Sequence, residues 1–209
     1  NHPGAAHFII PAFDDPDQVP DPAGLRTVAL RGVLERRPRL RNQFHWDFGY
    51  VEHVARFDAA LHVDYRFYHD DWDIDAHTLE VSWHQALGHG WSVVPTGRYY
   101  SQGRADFYRP YFLFDEAYPA LPGPIFPGHP RLLDFAQVPI DRYSSDERLA
   151  GFGSLGGGLA VRRDIGVRGH LEVGAEYVLH AGSLALGHGE GSYADFDAWT
   201  AYASLALDL

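Results

Sequence analysis

Residues 59–72, AALHVDYRFYHDDW, alternate between apolar and polar side chains, and this period of two restricts the fold more than any other feature. Successive side chains of a β-strand point to opposite faces. Leu61 and Phe67 would therefore lie on an apolar face, and Asp64 and Arg66 on a charged face. An apolar face packs on a core in a soluble sheet, whereas it contacts lipid in a membrane barrel. The environment of the apolar face is therefore the central question.

The same alternation returns along most of the chain. Repeated period-two patterns, with no amphipathic helix between them, predict an all-β fold. We expect an antiparallel up-and-down transmembrane β-barrel with about seven or eight strands in this chain, as part of a larger barrel. Residues 1–24 show no sustained period and predict a loop or extended segment before a barrel domain over 25–209. The predicted strands fall in segments 25–35, where the pattern is weaker, 40–50, 59–72, 78–84, 91–100, 149–161, 170–180 and 199–209.

The connections between these segments alternate in length. The short ones are 55–58, 88–90 and 163–166, and the longer ones are 69–75, 103–143 and 181–195. Consecutive antiparallel strands would place all the longer connections at one end, as in outer-membrane barrels, and 103–143 is then a long external loop. Soluble up-and-down barrels can share this arrangement, so the connections alone leave both interpretations open.

Composition excludes several classes of function. The chain of 209 residues carries a formal net charge of -11, which argues against a nucleic-acid partner because no basic surface could neutralise phosphates. It has no cysteine, which excludes a disulfide framework and a thiolate metal site. No apolar run approaches the ~18 residues of a spanning helix, so a membrane location would require strands. Since the chain begins at Asn1 and has no methionine, we expect an upstream segment, such as a signal peptide.

Charges of both signs recur on the polar side of the predicted strands. They could pair across neighbouring strands, as in the interior of a barrel. We therefore predict that this side faces a polar lumen. The predicted lumen-facing residues are His45, Asp47, His62, Asp64, Arg66, Glu80, His84, Arg98, Glu172, Glu176 and His180.

Large aromatic residues recur on the apolar side. Aromatic girdles that flank an apolar band are typical of transmembrane barrels, although a sandwich or lipocalin-like barrel could bury the same residues in its core. The alternating segments also run to about ten to fourteen residues, against about five or six for a typical globular strand, which favours the membrane. The aromatic residues concerned are Trp46, Tyr50, Tyr65, Trp83, Trp91, Tyr99, Tyr177 and Trp199.

Candidate metal and catalytic residues are weaker signals. His69, Asp71 and His77 lie in an acidic loop that could bind a divalent cation, but the spacing matches no EF-hand, and turn formation by the aspartates explains it more simply. Ser82 and His84 share a face, but they are ~7 Å apart along one strand and no GxSxG motif is present. We therefore predict no catalytic residue and no cofactor, and expect that the protein is not an enzyme.

Two further tracts carry distinctive residues. GSLGGG (153–158) lacks the Lys-Ser/Thr and the helix of a phosphate loop, so its glycines indicate barrel curvature or the close approach of a plug or partner. RYYSQGRADFYRPYF (98–112) combines arginines with aromatic rings that could hold a planar or anionic ligand. A strand that enters an ordered external loop is the simpler interpretation of that tract.

Four stretches resemble a family of uncharacterised bacterial outer-membrane β-barrel proteins, the domain of unknown function 3570. The resemblance implies a Gram-negative surface barrel about twice this length, of which this chain would be the C-terminal half, and no established activity. One departure is the end LALDL, because outer-membrane barrels usually finish on an aromatic residue. The stretches are HVDYRFYHDDWDIDAHTLEVSW (62–83), RYYSQGRADFYRPYF (98–112), SSDERLAGFG (144–153) and HAGSLALGHGEGSYADFDAW (180–199).

The predicted function is a porin-like pore or structural sleeve in the bacterial outer membrane, with the lipid bilayer as its partner. Eight strands alone leave an interior filled by side chains, so conduction would depend on further strands. One alternative is a binding or assembly module that holds a protein of a membrane complex through its lumen or through loops 103–143 and 181–195. A second alternative is a lipid-modifying enzyme.

Overall fold

The computed structural model describes residues 9–13, 31–110, 112–113, 141–166, 169–187, 189 and 195–207. They belong to two compact units, one within residues 1–41 and 104–150 and the other within 42–103 and 151–209. The strands are β1 (Ile9–Phe13), β2 (Arg31–Leu34), β3 (Gln43–Val54), β4 (Ala59–Asp70), β5 (Asp75–Gly88), β6 (Trp91–Gln102), β7 (Phe112–Leu113), β8 (Phe152–Asp164), β9 (Gly169–Ala181) and β10 (Phe196–Leu207).

The larger unit is one antiparallel sheet of seven strands in the order β10-β9-β8-β6-β5-β4-β3. Each strand pairs with the one that precedes or follows it within this unit, so the topology is up-and-down. This confirms the predicted all-β, antiparallel, up-and-down fold. Within the residues that the structure describes, β3 and β10 each pair on one side only, so the described sheet is open.

The smaller unit holds a second sheet, in the order β2-β1-β7, in which β1 runs antiparallel to β2 and parallel to β7. The predicted strand at 25–35 is described only from residue 31 onward, and its residues 31–34 pair in this small sheet rather than in the large one. Strand β1 falls within 1–24, where the sequence predicts loop or extended chain. Strand β1, IIPAF, is apolar throughout and contains a proline, so it shows no alternation that would signal it.

The strand connections follow the predicted alternation of length. Residues 55–58, 89–90 and 165–168 join strands at one end, and 71–74, 103–151 and 182–195 join them at the other. The tightest turn consists of His89 and Gly90, with φ of 54° and 76°. Two consecutive positive φ values are typical of the hairpin turn that matches strand twist. The connection predicted over 69–75 is shorter than expected, since strand pairing continues to His69 and Asp75.

The large sheet buries few apolar side chains. Among its described residues the buried apolar ones are Ala59, Ile74, Ala76, Phe152 and Ala181, all close to strand ends. The small unit instead buries Phe107, Tyr108, Tyr143 and Leu149. No helix within the described ranges is both long and apolar enough to cross a membrane.

Candidate functional site

The ladder register divides the large sheet into two chemically different faces. On the face that we call the polar face, Asp47 lies opposite Arg66, Asp64 opposite Glu80, and Glu80 in turn opposite Arg98. Period-two alternation carries this assignment along each strand. All eleven residues predicted to line a lumen share this face, and their lining of a lumen stays a prediction. They are His45, Asp47, His62, Asp64, Arg66, Glu80, His84, Arg98, Glu172, Glu176 and His180.

Ion pairs connect neighbouring strands across the polar face. The Arg66 guanidinium bonds the Asp47 carboxylate, which belongs to the register-opposed residue on β3. Arg98 approaches Glu80 to 3.9 Å, again between opposed residues of adjacent strands. These side chains remain about half exposed, so each pair contributes at most about 1 kcal/mol. Their main consequence is that the guanidinium groups of Arg66 and Arg98 on this face have carboxylate partners.

A depression of about 490 Å³ lies on the polar face over β5, β6, β8 and β9. Its floor is the glycine run of β8, where Gly156 lies opposite Arg98 and Gly158 lies between Thr96 and Glu176. A Cβ at Gly158 would come within 2.9 Å of the Glu176 side chain. Glycines therefore keep the floor free of side chains, and the close approach of a plug or partner at this tract stays a prediction.

Aromatic rings form one end of this depression. The Tyr100 and Phe152 ring centroids are 5.8 Å apart, and Phe152 and His180 are 4.6 Å apart. His180 stacks in turn on Phe196, at 4.7 Å and an interplanar angle of 18°. The predicted lumen residue His180 thus lies between two phenyl rings, in a row that crosses β6, β8, β9 and β10.

The opposite face, which we call the apolar face, is largely exposed. Phe44, Trp46 and Phe48 expose 59%, 46% and 55% of their surface. Large aliphatic residues on the inner strands and on β10 are exposed as well, among them Leu159, Leu171 and Leu205. A soluble sheet would cover such residues with a second layer. Within the described part of the chain, no second layer covers this face.

The eight aromatic residues predicted to form girdles all lie on the apolar face. Trp46, Tyr99 and Trp199 are near the strand ends that lead to the long connections, whereas Trp83 and Trp91 lie toward the opposite end. Ring contacts connect aromatic residues near the end with the long connections. The ring centroids of Trp46 and Tyr65 are 5.4 Å apart, and those of Tyr177 and Trp199 are 4.8 Å apart. Tyr65 itself lies near the middle of β4, so the aromatic residues near the long connections do not all lie at the same level along the strands.

The side chains of Ser82 and His84 are closer together than the ~7 Å that separates the two positions along β5. The Ser82 hydroxyl and His84 Nε2 are 3.1 Å apart, and the His84 ring lies 4.4 Å from the ring of His62 on β4. A catalytic triad would also need a carboxylate on the imidazole. Within the described residues, no carboxylate bonds the His84 ring. The pair therefore forms part of a polar row with His62.

The candidate metal residues are not brought together. His69 bonds Asp75 at 2.7 Å, and His77 bonds the Tyr65 hydroxyl at 2.7 Å. Asp71 accepts from the backbone and side chain of Asn42 instead. In the ranges that the structure describes, no group of three or more His, Asp or Glu side chains is arranged to hold a metal ion. Instead, the His69–Asp75 contact joins the ends of β4 and β5, and Asp71 joins the turn after β4 to Asn42.

The chain matches a known protein family. A family model described as Protein of unknown function (DUF3570) matches residues 16–203. The chain belongs to this family. No curated protein and no solved structure matches it.

Two of the DUF3570 stretches recognised in the sequence have clear structural roles. In 180–199, the one-turn 3-10 helix Gly182–Leu184 packs against β8, and the hydroxyl of Tyr99 on β6 donates to the Leu184 carbonyl at 2.6 Å. The backbone N–H of Leu186 donates to the Ser101 hydroxyl at 2.7 Å. A Cβ at Gly153 would lie 2.2 Å from the Leu184 carbonyl oxygen, so glycine is required there.

In 144–153, the second stretch, a buried ionic network organises the smaller unit. Asp146 bonds both Arg37 and Arg148, while Glu35 bonds Arg37 and the Ser144 hydroxyl. Sequence reasoning assigned no role to these residues, because the two segments that meet are about a hundred positions apart. The SSDER motif was the available signal, since Asp is among the preferred N-cap residues and Asp146 caps the 3-10 helix Glu147–Leu149.

Proposed function

We propose that the seven-stranded sheet is part of an outer-membrane β-barrel, whose apolar face contacts lipid and whose polar face lines the interior. The protein would act as a pore or a structural sleeve. The observation that supports this most is the exposure of Phe44, Trp46 and Phe48 on a sheet whose strands are 12 to 14 residues long.

The extent of the apolar face argues against water as its solvent. Contiguous apolar patches on soluble monomers rarely exceed a few hundred Å². Here the exposed apolar residues run across the sheet, from Phe48 on β3, through Leu159 on β8, to Leu205 on β10. Hydrocarbon removes the cost of hydrating such a surface, at about 25 cal/mol per Å².

The dimensions of the apolar band also fit a bilayer. On β5 the polar residues His77 and Gln85 bracket Leu79, Val81 and Trp83 on the apolar face. From His77 to Gln85, the outer limits of this band, the strand runs roughly 26 Å at about 3.3 Å per residue. At the usual strand tilt this corresponds to about 20 Å of height, close to the ~25 Å apolar band of outer-membrane barrels.

Lipid does not tolerate unpaired strand edges, so the proposal requires the outer edges of β3 and β10 to be paired. They would pair with each other or with further strands. Pairing with further strands would widen the barrel enough for an aqueous channel, whereas a small barrel is filled by side chains. The choice between pore and sleeve therefore depends on the total number of strands.

Fluorescence quenching of single-tryptophan variants tests the lipid contact. In the full-length protein reconstituted in vesicles, one variant keeps only Trp46 and its matched control keeps only Trp72, which lies in the turn between β4 and β5. We expect lipids with brominated acyl chains to quench Trp46 strongly and Trp72 weakly, and aqueous iodide to show the reverse. Strong iodide quenching of Trp46 without quenching by the brominated lipids would rule out the proposal.

Planar-bilayer recording separates the two forms of the proposal. Discrete conductance steps from protein whose Trp46 is quenched by lipid support a pore. Lipid contact without conductance supports a sleeve. If a protein from the native membrane co-purifies with a non-conducting sleeve, the assembly role is favoured.

A further inference from the structure

We propose that the depression on the polar face binds an elongated organic cation, with an apolar part against the rings of Tyr100, Phe152 and His180 and an ammonium group at Glu176. This goes beyond the proposed function, because the depression is built by four adjacent strands, β5, β6, β8 and β9, and exists whether or not the sheet encloses a conducting lumen.

The depression has two chemically distinct ends. The aromatic end is formed by Tyr100 and His180, which lie on either side of Ser154 in the ladder. The acidic end is formed by Glu176, four residues from His180 along β9 and thus about 13 Å away at roughly 3.3 Å per residue. A ligand that uses both ends must carry its apolar part and its charge several bonds apart.

The charges of the depression favour a cation. Its charged residues are Glu80, Glu176 and Arg98, and Arg98 faces Glu80 at 3.9 Å. Glu176 has no hydrogen bond or ion pair within the described residues. A cation would therefore gain a charge-assisted bond at Glu176, whereas an anion would have to take Arg98 from Glu80.

The space between the ends suits a ligand rather than side chains. Gly156 lies between Arg98 and Val178 and leaves the middle of the depression open. A Cβ at Gly156 would make ordinary contacts, 3.5 Å from Val178 and 3.9 Å from Arg98. The fold therefore accepts a side chain at Gly156, and its absence keeps the depression open. A volume of about 490 Å³ lies in the range of small-molecule sites.

Three probes of equal length and different charge test the proposal. They are 4-phenylbutylamine, which is a cation at neutral pH, neutral 4-phenylbutanol, and anionic 4-phenylbutanoate. Binding to the full chain in a neutral detergent is measured by titration calorimetry, with protein-free micelles subtracted. We expect the amine to bind at least about tenfold more tightly than the alcohol and the carboxylate, as one charge-assisted bond predicts.

Two pairs of matched variants locate the binding. Glu176→Gln should weaken amine binding at least about tenfold, whereas Glu172→Gln, on the same strand and face but outside the depression, should leave it unchanged. Gly156→Val should abolish binding by filling the depression. Gly97→Val, on the apolar face of β6 and outside the depression, should retain it.

The outcomes also separate this inference from the proposed function. Equal binding of the three probes, equal effects of the two glutamate variants, or no binding at all would each overturn the cation site. None of these results changes the quenching of Trp46 by brominated lipid, on which the membrane proposal depends. Selective amine binding that Glu176→Gln and Gly156→Val remove establishes the site.

Discussion

The Asp146 carboxylate lies 2.7 Å from the guanidinium of Arg148, although only 5% of the Asp146 side chain is exposed. Arg37 bonds the same carboxylate at 2.9 Å. Asp146 also accepts from the backbone N–H of Arg148 at the start of the 3-10 helix Glu147–Leu149. One carboxylate thus caps a helix and joins two distant segments of the smaller unit.

This arrangement predicts that the smaller unit loses stability in acid. Burial raises the pKa of the Asp146 carboxyl, but hydrogen bonds from Arg148 and Arg37 outweigh burial, so the pKa lies below its ordinary value of 3.8. A lowered pKa in the folded state means that the stabilisation is present above pH 3.8 and is lost as the pH falls through the folded-state pKa. Hydrogen exchange at Tyr143 and Ser144 should accelerate over that range.

The variant Asp146→Asn tests whether the charge of Asp146 causes this loss of stability in acid. It keeps a capping oxygen but removes the charge, so we expect it to destabilise the smaller unit by about 2 kcal/mol at neutral pH. Exchange at Tyr143 should then be fast at neutral pH and should change little in acid. An unaltered pH profile in Asp146→Asn would show that another group controls the acid response.

Gly153 makes a second prediction, about the segment that packs on β8. Gly153→Ala should displace the 3-10 helix Gly182–Leu184 and cost about 1–3 kcal/mol, because a Cβ there overlaps the Leu184 carbonyl. Gly97→Ala is the matched control on β6, since a Cβ at Gly97 meets no atom within 4 Å. Faster proteolysis within 182–187 in Gly153→Ala alone is the expected readout, and equal proteolysis of both variants would contradict the packing.

A third prediction compares neighbouring residues on opposite faces of β5. Val81→Arg places a charge on the apolar face and should reduce the free energy of folding into vesicles by about 2–4 kcal/mol if that face meets lipid. Ser82→Arg places the same charge on the polar face and should have little effect. Since Val81 is already 36% exposed, a water-facing sheet would accept both substitutions equally. Urea titration of the vesicle-bound protein distinguishes the two cases.

The face of each strand residue could be predicted from the sequence because it is a local property. In β4, alternate residues fall on alternate faces whatever the strand pairs with, so Asp64 and Arg66 were assigned correctly to one face. The ends of the strands were harder to predict from the sequence. The pattern of β5 predicts 78–84, but the ladder continues from Asp75 to Gly88, because polar residues such as His77 and Gln85 enter the apolar face near its borders.

Contacts between distant segments could not be predicted in this way. The bond from Arg37 to Asp146 joins residues 109 positions apart, through irregular chain with no periodic pattern. The aromatic end of the depression could not be predicted from the sequence for the same reason. Tyr100, Phe152 and His180 come from three strands, and their contact depends on register, which alternation alone does not determine.

The charge balance of the polar face predicts a preference for cations if the protein conducts. Arg66, Arg98 and Arg162 each lie beside a carboxylate, namely that of Asp47, Glu80 and Asp164 respectively. In the part of the chain that the structure describes, Asp64, Glu172 and Glu176 have no such cationic partner. Rings of carboxylates favour cations in a channel. In a potassium chloride gradient, the reversal potential should therefore shift toward the potassium equilibrium potential.

Neutral variants test whether these three carboxylates cause the preference. Changing Asp64→Asn, Glu172→Gln and Glu176→Gln together should move the reversal potential toward zero, because the fixed negative charge that attracts cations is removed. Asp58→Asn is the control, since Asp58 lies in the turn between β3 and β4 and outside the strands. High salt should weaken the preference of the unmodified channel by screening. Anion preference in the unmodified channel would contradict the assignment of these carboxylates to the conducting path.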